Sequence, residues 1–190
     1  MLLRSRIAWL GLAAFLAAVV SASAQAKPAQ PGPYPPPAPP FPRFEVTGGY
    51  QLLHVPDQTF PFGLNLDGAW NSSKALGVVG EVGWTTDSEG DTRVHVWNFG
   101  AGPRFNARPM GGKVWPFGQV LGGFVHVRGG GGSDSHFMIQ PGAGVNVNAG
   151  DGWGWVVQGD YRREFLDEDE FGQSGQNQFR LFIGISALLD

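Results

Sequence analysis

The sequence predicts an all-β chain, an eight-stranded antiparallel up-and-down transmembrane β-barrel, and three observations carry that prediction. The last segment, Asn177 to Leu189, carries a period of two. Phe179, Leu181, Ile183, Ile185 and Ala187 form one row, with Gln178, Arg180, Gly184 and Ser186 between them. A period of two puts each row on one face of a strand. The same beat recurs upstream with charge, Gln, Asn and Gly in the polar row, the pattern of a strand apolar outside and polar inside. The connections also alternate between compact turns and longer polar segments. Finally, an export signal opens the chain, and no later stretch is long and apolar enough to span a membrane as a helix.

Residues 1–26 read as a signal peptide. Arg4 and Arg6 precede an apolar run from Ile7 to Val20, and small residues follow, so cleavage is expected after Ala24 or Ala26. Residues 27–43 hold nine of the fifteen prolines. Such a run favours polyproline II and reads as a semi-rigid periplasmic linker. Residues 44–190 form the barrel domain. The chain has no cysteine, so disulfides do not hold it together. Formal net charge is -3, and no basic stripe marks it as a nucleic-acid binder.

Eight strands follow in order, at about 44–54, 62–71, 75–85, 93–106, 113–127, 136–148, 153–166 and 177–189. The first two place Val46, Tyr50, Leu52, Leu64, Leu66 and Trp70 on the apolar row. The third sets Leu76, Val78, Val82 and Trp84 against Gly77, Glu81 and Gly83, and the fourth sets Trp97, Phe99 and Phe105 against Asn98, Gly102 and Arg104. The fifth, from Trp115 to His126, is ambiguous in phase. The sixth opposes Phe137, Ile139 and Val145 to Gln140, Gly142 and Asn146, and the seventh opposes Trp155, Val157 and Tyr161 to Gln158, Asp160, Arg162 and Glu164. Aromatics gather near strand ends, Trp70, Phe105 and Trp153 at one rim and Trp84, Trp97 and Tyr161 at the other, as in two interfacial girdles. Pro103, Pro116 and Pro141 each remove a ladder donor within a strand.

The polar rows bring Glu81, Arg104, Gln140, Asp160, Arg162, Glu164 and Arg180 into a lumen network, with Glu45 and Asp67 beside them. Charges away from water must be paired or hydrated, so these residues are expected to cross-link the interior. Counting back from the turns puts Glu164 near Arg180 and Asp160 near Gln140. Eight strands leave an interior about wide enough for side chains to fill.

Phe44-Glu-Val-Thr-Gly-Gly-Tyr50, Gly142-Ala-Gly-Val-Asn-Val147, Gly159-Asp-Tyr-Arg162 and Asn177-Gln-Phe-Arg-Leu-Phe-Ile-Gly184 recur in order along the barrel region. In these segments the chain resembles the small eight-stranded outer-membrane β-barrel family of the OmpA/OmpX type, which includes porin-like barrel domains. The resemblance implies residence in the outer membrane among its lipid and lipopolysaccharide, and insertion by the outer-membrane assembly machinery. That machinery reads a terminal aromatic, where this sequence has Leu188-Leu189-Asp190.

Chemistry for catalysis or metal binding is thin. His95 and His126 are expected near each other at the outer rim, a spacing that metal binding uses but that equally suits interfacial side chains. Ser133 and Ser135 near His126 do not build a fixed triad. Gly129-Gly-Gly-Gly132 lacks the Lys-Ser/Thr of a phosphate loop, and Asp167-Glu-Asp-Glu170 lacks the ligand spacing of a calcium loop. The sequence therefore predicts a monomeric, non-enzymatic barrel without metal or other cofactor, with a structural or surface-interaction role. The alternative is a narrow, porin-like pore for small solutes.

Overall fold

In the computed structural model, residues 42–56, 58–89, 92–129, 132–150, 152–165 and 175–189 are described. The signal segment, nearly all of the Pro-rich arm and the acidic run Asp167 to Glu170 lie outside them. Residues 40–109 and 113–190 form one compact unit. In the other unit the described residues are Met110–Gly112, where Gly111 and Gly112 take φ of 59° and 71°. Only glycine enters that left-handed region without strain.

The strands are β1 (Phe44–His54), β2 (Thr59–Phe60), β3 (Phe62–Asn71), β4 (Leu76–Glu89), β5 (Thr92–Asn106), β6 (Val114–Gly129), β7 (Gly132–Gly150), β8 (Trp153–Phe165) and β9 (Gln176–Leu189). All but β2 form a continuous antiparallel sheet, each pairing with its sequence neighbour, and β1 pairs with β9 to close the barrel. Closure leaves no free edge, the condition for crossing lipid with strands. One row of partners runs from Thr47 through Asp67, Glu81, Gly100, Gly123, Met138 and Glu164 to Gln176. Across the seam, however, Thr47 pairs with Ser186. That offset of ten residues between Gln176 and Ser186 is the barrel's shear, and it tilts the strands by about 40°.

Polarity is inverted relative to a water-soluble fold. On β3, Phe62, Leu64, Leu66 and Trp70 are exposed while Asn65, Asp67 and Asn71 are buried. On β9, Ile183, Ile185 and Leu189 face outward while Gln178, Arg180 and Ser186 are buried. A soluble protein buries its large apolar side chains and exposes its charges. Rings on the outside meet one another: Tyr50–Phe62, Phe62–Trp84 and Trp84–Trp97 have centroids 6.2, 6.0 and 6.3 Å apart. Near the opposite rim Trp153 and Trp155 meet at 6.1 Å.

Three departures from the sequence expectation have physical causes. Strands β4 to β7 run further than their apolar alternation, so Thr86 to Glu89 and Ser133 to Ser135 are strand rather than loop. Two strands projecting into water can extend their ladder with polar residues, which an apolar periodicity does not register. The phase of β6 is settled with Phe117, Gln119, Leu121 and Val125 buried and Val120 and Phe124 outside. Finally, Pro103 and Pro141 fall where one side of the ladder is interrupted. Pairing of β5 with β6 stops at Ala101 and resumes at Arg104, and that of β7 with β8 stops at Ile139 and resumes at Gly142. Each proline thus sits where the sheet has a local gap.

Candidate functional site: the filled lumen

The inward rows converge on Arg180, whose side chain is fully buried. Its Nη2 lies 2.6 Å from Glu81 Oε2 and 2.8 Å from Asp160 Oδ2. Its Nε donates to Asp160 Oδ2 at 2.9 Å, and Nη1 donates to Gln51 Oε1 at 3.2 Å. One guanidinium therefore links β9 to β1, β4 and β8. Side-chain amides satisfy the remaining carboxylate oxygens. Asn98 Nδ2 and Gln140 Nε2 donate to Glu81 Oε1, at 2.8 and 3.2 Å, and Gln158 Nε2 donates to Asp160 Oδ1 at 2.8 Å. Arg162 Nε donates to Gln140 Oε1 at 2.7 Å. Charge-assisted bonds of this kind are the strong ones, and in a closed lumen they are protected from water.

A second cluster lies towards the short-turn rim. Arg104 Nη1 is 3.4 Å from Glu45 Oε2, and its Nε donates to Gln119 Oε1 at 3.0 Å. Asn71 Nδ2 donates to Glu45 Oε1 at 2.8 Å and to the Pro42 carbonyl at 3.0 Å. The Arg104 guanidinium also sits 4.5 Å above the Phe117 ring, a cation–π contact. Phe117 packs with Val156 and Phe182, and Arg180 lies 5.9 Å from the Phe182 ring. Aromatic side chains thus separate the two charged clusters.

Towards the rim of the long hairpins the interior turns apolar. Leu53, Val55, Phe60, Val96, Val125 and Met138 form one buried cluster, with Val94 and Val127 against it. The β1–β3 connection supplies two of these. Strand β2 pairs back onto the end of β1, Leu53 with Phe60, and Gln58 Nε2 holds the segment by donating to Asp87 Oδ2 at 3.1 Å. The expectation of a lumen filled by polar side chains is corrected here. Its middle and lower levels interleave charged clusters with the buried apolar groups Ala69–Val79–Leu121 and Phe117–Val156–Phe182, and one end is apolar. The strand alternation is too short and mixed near the rims to reveal this.

All seven residues predicted for the lumen, Glu81, Arg104, Gln140, Asp160, Arg162, Glu164 and Arg180, are buried. Two predicted pairings shift. Asp160, not Glu164, stands opposite Arg180, and Glu164 instead accepts from Gln178 Nε2 at 2.6 Å. The ladder of the last hairpin continues to Gln176, which moves its pairing relative to a symmetric count. Asp160 pairs with Gly142, which leaves Gln140 as its diagonal neighbour two residues along β7. The ladder starts at Gly150 opposite Trp153, a shorter turn than a count from Asn148 assumes, and the bulge between Asn148 and Gly150 recovers only one residue of that offset. Glu81, the acceptor shared by Arg180, Asn98 and Gln140, was legible as a lumen residue but not as Arg180's partner. β4 and β9 are not neighbours in the sheet, so no hairpin count joins them.

His95 pairs with Arg128 and His126 with Trp97, so the two do not face each other. Among the described residues no group of three or more His, Cys, Asp or Glu could hold a metal. His126 Nδ1 lies 2.8 Å from Ser135 Oγ, because β7 extends far enough to place Ser135 opposite it. Asp134 turns elsewhere, to the Ser135 amide and to His136. No carboxylate among the described residues bonds to His126, and a Ser–His pair without that third group falls short of a fixed triad.

No protein-family profile and no curated protein sequence matches the chain. Solved structures do. The attachment invasion locus protein Ail of Yersinia pestis is 18% identical, with a TM-score of 0.52 over 78% of this chain and 99% of that one. Neisserial surface protein A, NspA, gives a TM-score of 0.60 at 9% identity, over 77% of this chain and 96% of that one. The outer membrane protein OprG of Pseudomonas aeruginosa gives 0.50 at 7% identity, over 77% and 95%. Matches at such low identity speak to fold, and they agree with the closed sheet derived above. The chain has the fold of the small eight-stranded outer-membrane β-barrels.

Proposed function

We propose that this protein is a small barrel of the cell outer membrane, exported with cleavage after Ala24 or Ala26 and inserted by the outer-membrane assembly machinery. Its role is structural or in surface interaction rather than in solute passage or catalysis. One observation carries the reading: among the described residues, buried side chains meet in three successive clusters along the lumen, Glu45–Arg104, Arg180–Glu81–Asp160 and the apolar group around Leu53 and Met138. Water and ions cross a pore only where a continuous polar path exists, and apolar packing at one end removes it. The mixed signs of the charged clusters also give no selective field for a solute. Residues 27–43 would then extend from the barrel on the periplasmic side, and the long hairpins would face outward.

Bilayer recording tests this against the porin-like alternative. The full mature chain, purified and reconstituted in a planar membrane, is expected to give no steady unitary openings. Stable openings of one reproducible size would overturn the sealed-lumen reading and make the narrow pore correct.

A further inference from the structure

Outside the barrel, over β3, β4 and β5, lies a groove of about 640 Å³. Its character changes along the strand direction. Leu66 and Val82 pair in one row, Leu64, Trp84 and Trp97 make the next, and His95 and Arg128 stand at the long-hairpin end. Trp84 is stacked on His95 with centroids 6.0 Å apart, which fixes the imidazole at the boundary between the apolar and polar parts. The Nδ1 atom of His95 is buried and has no hydrogen-bond partner among the described residues. Arg128 is exposed, and no carboxylate among the described residues pairs with it. The groove is thus apolar along most of its length and cationic at one end, where the exposed Arg128 guanidinium is the group open to a ligand.

We propose that this groove binds a phosphorylated acyl lipid of the outer leaflet, with an acyl chain along Leu64, Leu66 and Val82 and a phosphate on Arg128 beside His95. The inference rests on the membrane orientation proposed above. Charge complementarity selects the occupant. A guanidinium without a carboxylate partner among the described residues matches a phosphate, whereas the ammonium of a zwitterionic lipid would be brought towards a like charge. The polarity gradient fits a lipid standing upright in the leaflet, apolar below and anionic at the interface.

The full mature chain, folded in dodecylmaltoside micelles, is mixed with diphosphoryl lipid A, and retained lipid is counted by native mass spectrometry. The same lipid stripped of its phosphates serves as comparison. The unaltered protein is expected to retain the phosphorylated form. Arg128→Gln should weaken retention on the order of tenfold, the effect of losing one charge-assisted contact. Arg128→Lys should keep most of it, and Arg108→Gln, at the opposite rim, should change nothing. Equal retention by the Arg128→Gln protein, or equal retention of the dephosphorylated lipid, overturns the site. Each sample is also run unheated and boiled on a gel. A protein that folds, shown by faster unheated migration, but lacks lipid preference refutes the groove alone. A chain that shows no such shift refutes the membrane reading beneath it.

Discussion

Arg180 concentrates the lumen's electrostatics in one side chain. Replacing it with Met leaves Glu81 and Asp160 buried without their cation, an arrangement that costs about 3–5 kcal/mol. The urea midpoint of the vesicle-reconstituted barrel should fall accordingly, and an unchanged midpoint would show that the two carboxylates find other partners. Asp67 provides the contrast. It stands opposite Glu81 in the β3–β4 register, and its Oδ1 accepts from Asn65 at 2.6 Å. No cation bonds to it directly, and its Oδ2 has no hydrogen-bond partner among the described residues. Asp67→Asn removes one of two facing like charges and should leave the midpoint unchanged or raised. A drop comparable to that of Arg180→Met would mean that Asp67 is a necessary counter-charge. The identity of the inward charges is legible in the sequence because alternation assigns faces. Their partners are not, because Arg180 reaches Glu81 across the lumen between strands that never pair.

At the level of the strands, glycine explains how so tight a barrel closes. A Cβ on Gly102 would meet the Val120 carbonyl oxygen of the adjacent strand, and one on Gly123 would meet the Phe99 carbonyl oxygen. Strands β5 and β6 approach each other closely at these inward positions, and backbone cannot yield as a side-chain tip can. Gly80 faces outward, with nothing within 4 Å of the same position. Gly102→Ala should therefore destabilise the folded barrel by about 1–3 kcal/mol. Gly80→Ala should stay within about 0.5 kcal/mol of the parent. Comparable urea midpoints for the two would contradict the close approach. The sequence showed the high glycine content of the inward rows, but not which glycines face a neighbouring backbone, since that depends on the local coiling of the sheet. Strand number and order were legible from the alternation and turn signals. The outer ends of β4 to β7 were not, because Thr, Ser and Asp there carry no apolar beat although they continue the ladder.

For the molecule as a whole, every feature depends on one assignment: the apolar row faces lipid and the polar row faces a filled interior. The seam between β1 and β9, the ten-residue shear and the rings at both rims all follow from it. A soluble sandwich built from the same strands would have to place Arg180, Glu81 and Asp160 in water and bury Leu66, Phe99 and Ile185. The chain has no cysteine, so single labelling sites can be introduced without removing any. Nitroxide labels at Leu66, Val82, Phe99 and Ile185, one per variant of the reconstituted protein, test the assignment most directly. Relaxation by oxygen, which concentrates in the hydrocarbon, should be strong at all four, and relaxation by a water-soluble nickel chelate should be weak. Strong relaxation by the nickel chelate at these positions, or shielding from both agents, would contradict a lipid-facing row and with it the membrane barrel.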